Sequence, residues 1–198
     1  APDMYMEKIA IGPNLPNNLI DLDNSVEKNI KLLADAKKTK PENLTACVLK
    51  RERHDHIIES LRSLNVKTNF ISDGDVSGVI SVAQAKSKID IYLGIGGGPE
   101  GVLSAAALKC LGCQMQTRLK FYENEEKERV KKMGIKDLNL KYDINDMVKG
   151  DVIFCATGVT DGDLVKGIKE YDDYFESETF VLHESTKTNY MLKNKMKK

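Results

Sequence analysis

The sequence predicts an α/β fold: a layered, mostly parallel or mixed sheet flanked by helices. Three observations carry this. Apolar strand-like runs alternate with amphipathic helical stretches from residue 44 to residue 111, the pattern of a sheet covered by helices. The stretch Gly94-Ile95-Gly96-Gly97-Gly98-Pro99-Glu100-Gly101 lies between an apolar run and a run rich in Ala and Leu, so it reads as strand, glycine loop, helix. A second apolar run over 152–160 reads as a buried strand entering another glycine turn.

The elements follow in chain order. Residues 4–13 end in a strand stopped by Gly12-Pro13,. Asp23, Asn24 and Ser25 offer capping oxygens before a helix over 26–36 whose apolar face is Val26, Ile30 and Leu33,. A basic turn over 37–41 reads as solvated surface. Strands over 44–49, 66–71 and 89–93 alternate with helices starting near Asp55, over 76–85 and over 102–111, the last ended by Gly112,. Charges of both signs over 118–132 read as an exposed helix laced with ion pairs,. Residues 138–143 read as connecting structure, 144–148 as one helical turn and 179–183 as a late strand. The basic tail over 187–198 reads as frayed,. The whole of 1–198 is expected to be a single domain.

Composition excludes several classes. The 198 residues carry 30 Lys plus Arg against 30 Asp plus Glu, so no net charge draws the chain to nucleic acid or membrane. No apolar run approaches a membrane span, and no signal-peptide pattern is present. Of four cysteines, Cys47 and Cys155 lie in apolar runs and read as core,. Cys110 and Cys113 straddle a helix end, too few sulfurs for a zinc site. A reduced cytoplasm is the expected location, and a homo-oligomer the expected assembly. The chain opens Ala1-Pro2-Asp3 without an initiator methionine, which suits a processed start or a fragment of something longer.

In a parallel sheet, ligands collect beyond the carboxyl ends of the strands. Four strand exits here carry polar groups: Arg51 and Arg53; Asp73 and Asp75; the glycine loop with Glu100; and Thr157, Gly158 and Thr160. If the strands are neighbours, these face one crevice. Two arginines, three carboxylates and a cradle of backbone N–H groups suit a phosphorylated polyol. Each also has a structural reading. The arginines can be solvated surface, and Asp-Gly-Asp can be a turn with a helix cap. Glu100 can merely favour the helix dipole. His54 and His56 flank a helix start and read as surface or capping residues. No Ser–His–Asp order stands out.

Taken together the motifs are more specific. Pro2-Asp3-Met4-Tyr5-Met6-Glu7-Lys8, Arg53-His54-Asp55, Asp73-Gly74-Asp75-Val76, residues 94–102 and Ala156-Thr157-Gly158-Val159-Thr160-Asp161-Gly162 closely resemble class II fructose-1,6-bisphosphatases of the GlpX type. The resemblance implies the layered α/β fold of the inositol monophosphatase and sugar-phosphatase superfamily, here its C-terminal half. It implies hydrolysis of the 1-phosphate of fructose 1,6-bisphosphate in gluconeogenesis, with Mn²⁺ or Mg²⁺, and sedoheptulose 1,7-bisphosphate as a further substrate of some relatives. By motif match, Glu100 is a metal ligand. Tyr5, Arg51, Glu52, Arg53, Asp73, Gly74, Asp75 and Gly97 are substrate-binding positions, with Arg53 on the phosphate that is not cleaved. The resemblance also implies a missing N-terminal half, which would supply most metal-binding acids, so that this chain is inactive alone. Two competing readings remain: a sugar-phosphate-binding or regulatory module, and a nucleotide-binding domain resting on the glycine loop and the alternation alone.

Overall fold

A computed structural model describes residues 4–198, so the Pro2-Asp3 start of the first motif lies outside the described residues. The elements are β1 (Tyr5–Ile11), α1 (Val26–Ala36), β2 (Thr45–Leu49), α2 (Asp55–Ser63), β3 (Lys67–Ile71), α3 (Asp75–Ile80), β4 (Ile91–Gly97), α4 (Gly98–Leu111), β5 (Gln114–Lys120), α5 (Asn124–Lys132), β6 (Lys141–Asp143), α6 (Ile144–Met147), β7 (Ile153–Thr157), β8 (Lys169–Glu170), β9 (Tyr174–His183) and β10 (Thr188–Lys197). They build a mixed six-stranded sheet in the order β3-β2-β4-β1-β5-β6 and a second sheet in the order β10-β9-β7, with β8 on β9. β2 runs parallel to β3 and β4, whereas β1 is antiparallel to both β4 and β5.

Alternating side chains divide the large sheet between two helix layers, because successive strand residues point to opposite faces. Ile9, Ile11, Val48 and Leu93 pack against Ile30 and Leu33 of α1 and Ile57 and Leu61 of α2. On the other face Ala10, Cys47, Tyr92 and Met115 meet Val79, Ala105, Leu108 and Ile144. The far side of α4 then receives Phe154, Phe180 and Leu182 of the second sheet against Ala107 and Cys110. The result is four layers, α/β/α/β, with α4 between two sheets. That position explains its composition: a helix covered on both sides is apolar all round, and Ala and Gly let both sheets come close.

Several expectations change. The expected glycine loop is no loop: β4 continues to Gly97 and α4 begins at Gly98. The charged run over 118–132 is not one helix. Met115, Thr117 and Leu119 alternate inward along β5, and a period of two decides for a strand paired with β1, leaving only α5 helical. Residues 141–143 form the edge strand β6. The tail does not fray, since β10 pairs with β9 along its full length. Its basic residues answer acids of the small sheet: Lys193 meets Glu178 across the β9–β10 ladder at 3.3 Å, and Lys198 meets Glu170 of β8 at 2.7 Å,. The run over 152–160 is only half buried. Phe154 faces α4, but Ile153 is 67% exposed and Cys155 is exposed rather than core.

Candidate substrate-binding edge

Strand direction brings the predicted residues together. β2, β3 and β4 are parallel and end on one edge of the large sheet. Antiparallel pairing sets Tyr5, the first residue of β1, opposite both Gly97 at the end of β4 and Lys120 at the end of β5. Tyr5, Arg51, Glu52, Arg53, Asp73, Gly74, Asp75, Gly97 and Glu100 therefore all lie at this edge. Thr157, Gly158 and Thr160 do not sit on or after a neighbouring strand of the large sheet. They leave a strand of the second sheet, with the α4 layer between, and are used locally: Thr157 Oγ1 lies 2.8 Å from Thr179 Oγ1, and the Gly158 N–H donates to the Glu178 carbonyl at 3.1 Å.

The arginines are anchored, not loose. Arg53 donates from Nε and Nη2 to the Ile95 carbonyl at 3.0 and 2.9 Å, and its guanidinium lies 5.1 Å over the Tyr5 ring. Tyr122 meets Tyr5 edge-to-face at 5.7 Å,. Arg51 ties two strand exits together, donating to the Lys50 carbonyl at 2.9 Å and the Ser72 carbonyl at 2.7 Å. A guanidinium has five donors, so both keep donors for an anion. Glu52 is exposed and opens a short 3₁₀ turn, Glu52–His54. Asp73 is exposed, and its Oδ1 accepts from the Gly74 N–H at 2.8 Å. Gly74 takes φ +83°, a left-handed conformation that glycine adopts without strain, and turns the chain into α3,.

Asp75 faces inward and is 4% exposed. Its Oδ2 is ion-paired with the buried ammonium of Lys8, and its Oδ1 accepts the Tyr92 hydroxyl. Burial, then the charge of Asp75, pushes the Tyr92 phenol well above its ordinary range,. Lys8 also donates to the Gly97 carbonyl at 2.8 Å. Space for this network comes from two glycines. A Cβ at Gly96 would lie 2.4 Å from Asp75 Oδ2, and one at Gly101 would lie 3.2 Å from Lys8 Cε. Two of the backbone donors at the start of α4 are already engaged. The Gly97 N–H donates to Glu100 Oε2 at 3.2 Å and the Gly98 N–H to the Met4 carbonyl at 2.6 Å. β4 thus runs directly into α4, and the Gly97 and Gly98 N–H groups serve this junction.

His54 is fully buried, not a surface residue. Its Nε2 accepts from the Ile95 N–H at 2.8 Å, which places the proton on Nδ1, donated to the Leu49 carbonyl at 2.7 Å. The imidazole braces the ends of β2 and β4. Burial first, with Arg53 and His56 adding repulsion against the two hydrogen bonds, lowers its pKa below the ordinary 6.5. The folded chain then keeps His54 neutral where the unfolded chain protonates. Stability is full above 6.5 and falls as the pH drops below it,. Thermal melting is expected to decline between about pH 7.5 and 5.5, and His54→Gln to flatten that slope. An equally steep slope in the variant would remove His54 as its source.

Lys8, Tyr92 and Tyr122 were not singled out from the sequence. Lys8 left a signal, a lone lysine inside an apolar strand. Tyr92 and Tyr122 left none, since their partners are remote in the chain. A second polar cluster lies at the far end of the small sheet. Asp151 Oδ2 and Ser185 Oγ both approach His183 Nε2, at 2.8 and 3.1 Å, and Thr186 Oγ1 approaches Nδ1 at 2.8 Å. Bonds from Ser185 first, then His183, hold the Asp151 pKa down to about 2. Serine and aspartate share one ring nitrogen, so no Ser–His–Asp relay is arranged, and the cluster pins a turn. Cys110 and Cys113 are free thiols with raised pKa, Cys113 to about 12, because burial disfavours the thiolate,. Among the described residues no group of three or more His, Cys, Asp or Glu side chains is placed to hold a metal ion, and no helix is long and apolar enough to cross a membrane.

A layered α/β chain with a mixed six-stranded sheet flanked by helices is consistent with a phosphatase fold. Residues 1–196 match the family model "Bacterial fructose-1,6-bisphosphatase, glpX-encoded", and the chain belongs to that family. Fructose-1,6-bisphosphatase class 2 of Haemophilus influenzae is 36% identical over 202 residues, covering 95% of this chain and 60% of the relative. The D-fructose 1,6-bisphosphatase class 2/sedoheptulose 1,7-bisphosphatase of Synechococcus sp. (strain JA-3-3Ab) is 34% identical over 202 residues, with 95% and 58% covered. That of Gloeobacter violaceus is 33% identical over 201 residues, with 95% and 58% covered. The chain thus spans somewhat over half the length of these relatives.

Proposed function

We propose that this chain is the substrate-binding part of a metal-dependent phosphatase that removes the 1-phosphate of fructose 1,6-bisphosphate. The observation that carries the reading is the convergence, in a chain of this family, of seven motif residues, with the adjoining Arg51 and Glu52, on one sheet edge. Arg53 is the anchor for the phosphate that is not cleaved. Its orientation is set in advance by the Ile95 carbonyl and the Tyr5 ring, so little entropy is lost on gripping an anion. Arg51 and Tyr5 flank it, and Glu52, Asp73 and the Gly74 turn border the sugar. Asp75, with both oxygens engaged, orders that turn from beneath.

The family is one of metal-dependent phosphatases, and the fit of a divalent ion to this chain is partial. Glu100 is a hard oxygen donor at the right edge, but Mn²⁺ or Mg²⁺ takes about six ligands. We infer that Glu100 gives one and that residues outside this chain give most of the others. A bound divalent ion polarises a phosphoryl group and activates water. This chain's own contribution is to bind and orient the sugar phosphate.

The test is phosphate release from fructose 1,6-bisphosphate by the full-length protein with Mn²⁺ or Mg²⁺, with sedoheptulose 1,7-bisphosphate assayed in parallel. The chain alone is expected to release none. Arg53→Ala removes a charge-assisted contact worth about 1.5–3 kcal/mol, so KM is expected to rise roughly ten- to hundredfold with a smaller change in kcat. An unchanged KM removes Arg53 from the site. No release by the full-length protein, with tight sugar-phosphate binding, makes it a binding module instead.

A further inference from the structure

The buried Lys8 has no part in the reading above, and its geometry gives it one. Its ammonium ends beneath the β4–α4 junction, ion-paired with Asp75 and donating to the Gly97 carbonyl at 2.8 Å. That carbonyl belongs to the Gly97–Gly98 peptide, whose N–H is held by the Met4 carbonyl at 2.6 Å. Two adjacent glycines form the peptide unit least restrained by side chains, because neither has a Cβ to bar a flip. The neighbouring N–H, that of Gly97, holds Glu100 Oε2 at 3.2 Å. Rotation of this one peptide would therefore disturb both the first turn of α4 and the carboxylate it presents.

We infer that Lys8 is a positioning residue: it locks the Gly97–Gly98 peptide from below and so orients Glu100 and the Gly97 backbone at the substrate edge. The inference rests on the proposed function for its catalytic consequence, though not for its structural one. Asp75 keeps the ammonium aimed at the carbonyl, and Gly101 gives the lysine stem room. The ion pair and the peptide lock are separable, since Asp75→Asn removes the charge of the pair but keeps an amide oxygen that can still aim Lys8 at the Gly97 carbonyl.

The experiment uses the full-length protein as wild type, Lys8→Met, Asp75→Asn and Lys8→Met/Asp75→Asn. The double variant avoids a lone buried carboxylate if Lys8→Met alone folds poorly. Amide hydrogen exchange of residues 94–101 is measured beside that of β9 and β10, together with kcat and KM for fructose 1,6-bisphosphate. Exchange in 94–101 is expected to quicken about tenfold or more in both Lys8→Met variants, with β9 and β10 unchanged. The double variant is expected to have a kcat at least about tenfold below that of Asp75→Asn, with KM within about threefold. Equal exchange and equal kcat in Asp75→Asn and the double variant would overturn the inference, leaving Lys8 a mere counter-ion. If the wild type hydrolyses nothing, the proposed function fails while the exchange result still decides the peptide lock.

Discussion

Glu100→Gln is expected to lower phosphate release by the full-length protein about 100-fold or more, while leaving its melting temperature nearly unchanged. The split follows from what Glu100 does in the fold. Its Oε2 accepts the Gly97 N–H at 3.2 Å, and a glutamine carbonyl oxygen can accept the same bond, so the strand–helix junction survives. The negative charge does not survive, and an oxygen ligand to a divalent cation depends on it. Loss of about 3 kcal/mol of transition-state stabilisation corresponds to roughly 100-fold in rate. Calorimetric titration with Mn²⁺ reads the same change without turnover and should show weakened binding. Unaltered rate and Mn²⁺ affinity would return Glu100 to a purely structural part as a helix-start acid.

The largest expected effect on stability is that of Asp75→Ala. Were Asp75 only a helix cap, its loss would cost about 1 kcal/mol. It is instead the counter-ion of a lysine whose side chain is fully buried, and the acceptor of a buried tyrosine hydroxyl. Removing one member of a buried pair leaves the other charge uncompensated, at about 3–5 kcal/mol. Denaturant unfolding should show this as a lower midpoint with an unchanged slope. Lys8→Met combined with Asp75→Ala should recover much of the loss, because a pair deleted together leaves no buried charge. Simple addition of the two single effects would mean that Lys8 and Asp75 are not coupled.

These two carboxylates show how far the sequence reaches. Both were marked as candidates by motif, and both lie at the sheet edge where strand ends place them. Their environments differ in a way no motif carries. Glu100 caps its own helix three residues away, a local relation that spacing makes visible. Asp75 is engaged by Lys8 and Tyr92, which lie 67 and 17 residues distant, so its inward orientation depends on the pairing of β1 with β4. His54 was misread for the same reason. A histidine at a helix start looks solvated until the ends of two strands close over it.

What the sequence determined by itself is the α/β class, the alternation over 44–111 and the helix over 26–36, and its motifs marked the residues that the fold gathers at one sheet edge. All rest on local signals: hydrophobic period, capping oxygens, glycine and proline punctuation, and motif order. Tertiary structure alone decided the rest. It joined β4 directly to α4, with Lys8 bonded to the Gly97 carbonyl and Glu100 to the Gly97 N–H. It made residues 114–120 a strand, since β1 needed a partner on its second side. It held the basic tail in a ladder, where acids of β8 and β9 answer its lysines. It also put the strand that ends at Thr157 in the second sheet, because β7 found its hydrogen-bond partner in β9 and not in the large sheet. Strand pairing is a non-local choice made by whole faces and edges at once, and a single strand's sequence does not contain its neighbour.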